Sequence, residues 1–291
     1  MADNSRAINR VFTRKVLSDL LAKGTNDVFD NVVKRYICDP ESKTHEQIFS
    51  EIYVQLGKEN RNEYYYMNTL LDKLLVGIHS VNTTTALSQV HIGQHIADFV
   101  MLNGEGRVYE IKSDLDNFNR LYDQLSEYFT AFSKVSVLAS IREHEKLQRT
   151  LSDFGEMGDA IGIYVLSGDD TIFSRTRSKE PKQFDENLNH TNIFKLLRKR
   201  EYETIIKKYF GELPKVAPVF HFRACLEQFK QIAILEAQKS VIAELKRRNT
   251  ITRYDFDRVQ NELKSVVYFS GLYRELPTLE GFLQTYYRGV R

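Results

Sequence analysis

An α/β fold is predicted for this chain of 291 residues: a mixed sheet over about 86–174, flanked by helices, between helical N- and C-terminal regions. Three observations predict it. Short β-branched and aromatic runs at 96–102, 108–112, 135–140 and 160–167 alternate with segments whose apolar residues recur at helical spacing, which is the pattern of a sheet covered by helices. Asn103-Gly104-Glu105-Gly106, between the first two runs, is rich in residues that tolerate turn backbones and signals a hairpin. On either side of the strand-bearing stretch, before 80 and after 191, the chain reads as helical.

Taken in order, 4–37 carries Ile8, Val11, Phe12, Val16, Leu20 and Leu21, then Val28, Phe29, Val32 and Val33, with Gly24 as a break. A polar loop at 38–43 leads to a third helix at 45–56. In a fourth, at 60–79, the apolar stripe is Met67, Leu70, Leu71, Leu74, Leu75 and Ile78. Glu63 lies one turn before Met67 on that stripe, either as an acid on the buried side or as a first-turn carboxylate favoured by the helix dipole. Residues 80–85 form a polar loop and 86–92 a first strand. After the hairpin, Leu115, Phe118, Leu121, Tyr122, Leu125, Phe129 and Phe132 mark a helix over 115–132. A strand at 135–140, a helix at 142–154, a strand at 160–167 and an edge strand at 171–174 follow. The polar, breaker-rich stretch 175–189 reads as a linker or substrate-facing loop. Helices at 192–210 and 220–248 and two shorter segments complete the chain. The expected organisation is a helical region at 1–57, a core at 58–175 and a basic helical region at 176–291.

Chemistry concentrates between 91 and 132. Asp98 interrupts the apolar run 96–102, and Glu110 and Lys112 are set into Val108-Tyr109-Glu110-Ile111-Lys112. Side chains alternate along a strand, so Glu110 and Lys112 share one face and Tyr109 and Ile111 the other. A buried unpaired charge costs several kcal/mol, so these groups need partners or a bound ion. Two close carboxylates suit Mg²⁺, which takes oxygen ligands and completes its shell with water and phosphate. A lysine beside them suits charge developing on a phosphate. Gln124 and Tyr128, four apart, lie on one side of the next helix. His91 and His95 alternate away from Asp98 on a regular strand and read as surface or structure.

This arrangement resembles the restriction-endonuclease-like PD-(D/E)XK nuclease superfamily. Asp98 stands for its first acid, Glu110-Ile111-Lys112 for E-x-K, and Gln124-x-x-x-Tyr128 for the helix motif of the RecB-like branch. The chain has five E-x-K triplets, beginning at Glu41, Glu110, Glu180, Glu244 and Glu262, and only that at Glu110 follows a hairpin and an acid-bearing strand. Ala97 occupies the usual proline position, a departure. The resemblance covers about 60–174 and implies a restriction-endonuclease-like mixed sheet flanked by helices and a nuclease dependent on Mg²⁺ or Mn²⁺. Asp98, Glu110, the Ile111 carbonyl and Glu63 would be the metal ligands, Lys112 would assist the attacking water, and Gln124 and Tyr128 would complete the catalytic set. It also implies DNA as substrate and a setting of phage defence, repair or mobile-element maintenance. The alternative is a non-catalytic nucleic-acid-binding or protein-interaction module on the same fold.

Composition narrows the classes further. With 42% hydrophobic residues the chain can bury a core, and no stretch approaches the roughly 20 apolar residues of a membrane span. Two cysteines, Cys38 and Cys225, suggest neither a disulfide framework nor a zinc site, and a cytoplasmic setting is the default. The net charge of +2 hides an asymmetry: from Asn192 onward there are 19 Lys and Arg against 11 Asp and Glu. Lys195, Lys199 and Lys207 there are candidates for phosphate contacts, against the alternative of a solvated face. The sequence leaves both monomer and oligomer open.

Overall fold

The computed structural model describes residues 8–289 apart from 60, 79, 115, 169, 171 and 173–177. The chain divides into two compact units. One comprises Met1–Asn82, Ser113–Leu115 and Ile251–Arg291, the other Thr83–Lys112 and Asp116–Thr250.

In the first unit, helices α1 (Arg14–Lys23), α2 (Asp27–Tyr36), α3 (His45–Glu59) and α4 (Glu63–Asp72) come from the N-terminal part of the chain, and α4 continues as a π-helical segment, Lys73–Ile78. Short polar side chains start them, because the first backbone N–H groups of a helix lack partners within it. The Asn26 side chain accepts from Val28 and Phe29, and that of Asn62 from Tyr65. Glu63 is the first residue of α4 and is exposed, which is the first-turn alternative of its two readings, and burial on its stripe begins with Met67.

The second unit holds one five-stranded sheet: β1 (Thr85–Ile92), β2 (His95–Asn103), β3 (Glu105–Lys112), β4 (Lys134–Ser140) and β5 (Gly162–Leu166), in spatial order 1-2-3-4-5. β1, β2 and β3 form an antiparallel meander, and β3, β4 and β5 are parallel. A tight turn suffices for the meander, and Gly104 turns it at φ +74°, where a side chain would be strained. Parallel neighbours need crossovers. These are α5 (Leu121–Tyr128), then α6 (His144–Ser152) and α7 (Gly155–Ala160). The parallel strands β4 and β5 are buried almost throughout, whereas the edge strand β1 is buried only in part, as their apolar and mixed sequences require.

Helices α8 (His190–Lys195), α9 (Lys199–Phe210), α10 (His221–Phe229) and α11 (Ile234–Lys246) belong to this unit as well. Ile193, Ile206, Phe229 and Leu245 join one core cluster with Val100, Val108 and Val137 of the sheet and Leu121 and Leu125 of α5. Gly106 permits a close approach within this core: a Cβ there would stand 2.5 Å from the Phe132 ring.

Returning to the first unit, α12 (Arg253–Arg258) reaches the π-helical segment through Arg253, which donates to the Leu75 carbonyl, and α13 (Lys264–Ser270) and α14 (Leu276–Leu283) pack with the N-terminal helices. Lys264 Nζ donates to Asp72 at 2.6 Å and the Ser265 N–H to the Asn68 side chain at 2.8 Å. The expected boundaries at 57/58 and 175/176 therefore do not divide the chain. Contacts between its two ends build one unit, and the helices at 190–246 complete the core of the other. The helices expected at 192–210 and 220–248 are each broken, at 196–198 and 230–233. The edge strand expected at 171–174 falls mostly outside the described residues. Of the stretch 175–189, the part from 178 follows β5, where Lys179 exchanges two backbone hydrogen bonds with Ile163.

Candidate active site

Asp98, Glu110, Lys112, Gln124 and Tyr128 all belong to the sheet unit. The β2–β3 ladder runs from Asn103↔Glu105 to Phe99↔Tyr109. One step further the same register would set Asp98 against Glu110, and there the pairing stops. The backbone groups released find other partners, as buried peptide groups must. The Ile111 N–H donates to Asp98 Oδ2 at 2.8 Å, and the Ile96 carbonyl accepts from Tyr128 Oη at 2.8 Å. On the other side of Asp98, β1 is irregular too. Gln89 stands between the pairs Ser88↔Phe99 and Val90↔Ala97 with φ +52°, a left-handed backbone uncommon outside glycine. β3 stays paired to β4 through Lys112↔Ala139. The strands thus part on the β2 side alone, where the charges sit.

Glu110 is 2% exposed and Lys112 is 8% exposed, so each needs the other. Lys112 Nζ donates to Glu110 Oε1 at 2.7 Å and to Gln124 Oε1 at 2.8 Å. Gln124 Nε2 donates back to Glu110 Oε1 at 2.6 Å, so its amide spans the ion pair with both ends engaged. Tyr128 Oη is 2.7 Å from Glu110 Oε2. Its single proton lies between that oxygen and the Ile96 carbonyl, a three-centre arrangement. Burial pushes the Tyr128 phenol well above its ordinary range, and the Glu110 and Asp98 charges add to the effect, so it remains a donor. One helical turn separates Gln124 from Tyr128, and that spacing lets both reach the same carboxylate.

The arrangement has capacity left. An ammonium carries three N–H donors, and among the described residues two are engaged. A carboxylate has about four lone-pair directions, and Glu110 uses three.

The other candidates are placed differently. Glu63 belongs to the helical unit, at an exposed first turn. Ile111 contributes its N–H to Asp98 and stands in register with Leu138. Lys195 on α8 and Lys199 and Lys207 on α9 are exposed, and Lys199 lies 3.9 Å from Glu203. His91 is exposed, and His95 is 3.7 Å from Glu127. Both cysteines are free. Among the described residues no group of three or more His, Cys, Asp or Glu gathers to hold a metal, and no helix is long and apolar enough to cross a membrane. Two features had no signal in the sequence: the kink at Gln89 and the use of the Ile96 carbonyl.

Fold and site together define an α/β protein with a mixed sheet whose third strand ends in a buried acid–lysine pair. The family model described as Bacteriophage P4 protein cII matches residues 57–265, which include every side chain of this cluster. That span covers well over half of the sequence, and the chain belongs to this family. Neither a curated relative nor a solved structure matches it.

Proposed function

We propose that the protein is a divalent-metal-dependent nuclease of PD-(D/E)XK type that hydrolyses phosphodiester bonds, with DNA as its substrate. The observation that carries this reading is the hydrogen-bonded set Glu110, Lys112, Gln124 and Tyr128 beside Asp98, at the point where β2 and β3 part.

The donor set suits Mg²⁺ or Mn²⁺. Such ions need only one or two carboxylates from the protein and take further oxygens from water and phosphate. Asp98 and Glu110 are those carboxylates, and the remaining lone pair on Glu110 Oε2 is open to a cation. When bound, the ion supplies Lewis-acid stabilisation of the phosphate and a more acidic water. The residues of the chain do the rest. Lys112 directs its third N–H to a phosphate oxygen and stabilises charge that grows toward the transition state. Gln124 and Glu110 hold that ammonium in one place, so little reorganisation accompanies the reaction. Tyr128 fixes the second Glu110 oxygen and ties it to β2 through Ile96. The family's name is that of a phage protein, in keeping with a mobile-element setting.

A second reading is a nucleic-acid-binding or protein-interaction module without turnover. It is favoured by the closure of Glu110 on three donors of its own chain. Incubating purified protein with labelled single- and double-stranded DNA and RNA, with and without Mg²⁺ or Mn²⁺, decides between them. Metal-dependent cleavage supports the nuclease, and binding without cleavage supports the module.

A further inference from the structure

The helical unit contains an open cleft of about 500 Å³, within the range of small-ligand sites, and it owes nothing to the candidate active site. Its lining lies outside residues 57–265, the span matched to the family. The end of the chain forms one wall. Tyr286 bridges Thr44, the His45 N–H donates to the Thr285 carbonyl at 3.0 Å, and the Tyr287 N–H to the Lys43 carbonyl at 3.1 Å.

Two titratable side chains, 3% and 5% exposed, line the cleft: Asp30 and His45. Asp30 Oδ2 accepts from the Thr25 hydroxyl and the Asn26 N–H, while among the described residues Oδ1 accepts from Tyr287 alone, at 3.0 Å. His45 Nδ1 is 2.8 Å from the Thr285 carbonyl. A carbonyl only accepts, so this nitrogen carries the proton. Burial lowers the pKa of His45, which favours the neutral ring with Nε2 as an acceptor. The imidazole packs on Phe282, with ring centroids 4.2 Å apart. Exposed Tyr286 adds a second aromatic face, and exposed Arg288 has no carboxylate partner among the described residues.

We propose that this cleft binds a mononucleotide whose base carries an exocyclic amino group. The aromatic side chains offer stacking surfaces to a planar base. Asp30 Oδ1 and His45 Nε2 accept from its amino group, and Arg288 takes the phosphate. Inorganic phosphate alone has no use for the aromatic wall, an alkyl chain would offer no donor to either buried acceptor, and a quaternary ammonium would meet Arg288.

Isothermal titration of the full chain with AMP, GMP, CMP, UMP and inorganic phosphate tests this. The three amino-bearing nucleotides are expected to bind at least about tenfold more tightly than UMP, the scale of one charge-assisted hydrogen bond. Arg288→Ala and Tyr286→Ala alter exposed side chains, so melting temperatures should hold while affinity falls, by about tenfold and about fivefold or more. Lys112→Ala should bind as wild type does, which keeps this result separate from the fate of the nuclease reading. The proposal is overturned by absence of nucleotide binding at millimolar concentration, by phosphate binding as tightly as AMP, or by affinity that depends on Lys112 and not on Arg288.

Discussion

Strand β3 carries two acid-x-base pairs, Glu105 with Arg107 at its start and Glu110 with Lys112 at its end. In sequence they look alike. At the start, Arg107 Nε reaches Glu105 Oε1 at 2.6 Å and Lys134 Nζ reaches Oε2 at 2.6 Å, with the Glu105 side chain 41% exposed. At the end, Lys112 meets a Glu110 side chain only 3% exposed. The first carboxylate is held by two partly exposed cations. The second is held by one cation and two side chains of α5. The triplet itself is therefore not the device. Burial raises the penalty for any unpaired member, and the neutral partners Gln124 and Tyr128 then fix the geometry of a charge that water cannot screen.

The largest expected effect that sharpens this contrast is on stability. Glu110→Ala leaves Lys112 buried without its counter-ion and should cost about 3–5 kcal/mol, whereas Glu105→Ala should cost about 1 kcal/mol or less. Urea unfolding of both variants measures the gap, and equal losses would erase the distinction. Next is the neutral clasp. Tyr128→Phe removes the proton shared between Glu110 and the Ile96 carbonyl and should cost about 1–3 kcal/mol, read in the same way. Asp98→Ala should abolish calorimetric Mg²⁺ binding by the intact chain, while Glu105→Ala should leave it unchanged. Wild-type binding by Asp98→Ala would remove the metal from this site.

Smaller effects fall on the exposed groups. Neutralising Lys195, Lys199 and Lys207 together should weaken nucleic-acid binding and flatten its salt dependence by roughly one unit of slope per lost phosphate contact. An unchanged slope would mark them as solvated. The smallest effect is the pH dependence of the Glu105 end. Burial alone would raise the Glu105 carboxyl, but hydrogen bonds from Lys134 and Arg107 outweigh it and hold the group below its ordinary value of 4.5. Its contribution is therefore complete above that value and lost as pH falls through the lower folded-state pKa. Solvent screening keeps it well under about 1 kcal/mol. The stability difference between wild type and Glu105→Gln should close on acidification below pH 4.5, and a difference that widens there would reverse the sign.

The layout of the Glu110 end was legible in the sequence, although its contrast with the Glu105 end was not, because strand alternation and helical spacing are local. Val108-Tyr109-Glu110-Ile111-Lys112 fixes which side chains share a face, and Gln124 with Tyr128 fixes which side of α5 they occupy. The strands ended within about two residues of expectation for the same reason. Other features depend on partners distant in the chain. The parting of β2 from β3 shows only in the final register, and nothing near Gln89 announces its positive φ. The breaks at 196–198 and 230–233 contain no glycine or proline, so apolar periodicity ran through them. Residues such as Asn68 and Ser265 join the two ends of the chain across nearly two hundred positions, which no local pattern encodes. Glu63 illustrates the remaining ambiguity: its place on the apolar stripe suggested burial, but the N-cap at Asn62 makes it a first-turn residue open to solvent.

The buried pair, and not the exposed one, is expected to act on phosphate. Single-turnover cleavage of labelled DNA with Mg²⁺, by wild type, Lys112→Ala and Arg107→Ala, tests it most directly. Cleavage by wild type is expected, with Lys112→Ala slower by about 10²-fold or more, the scale of one preorganised electrostatic contact, and Arg107→Ala within about twofold. A Lys112→Ala protein that cleaves like wild type, or an Arg107→Ala protein that loses as much, would contradict it.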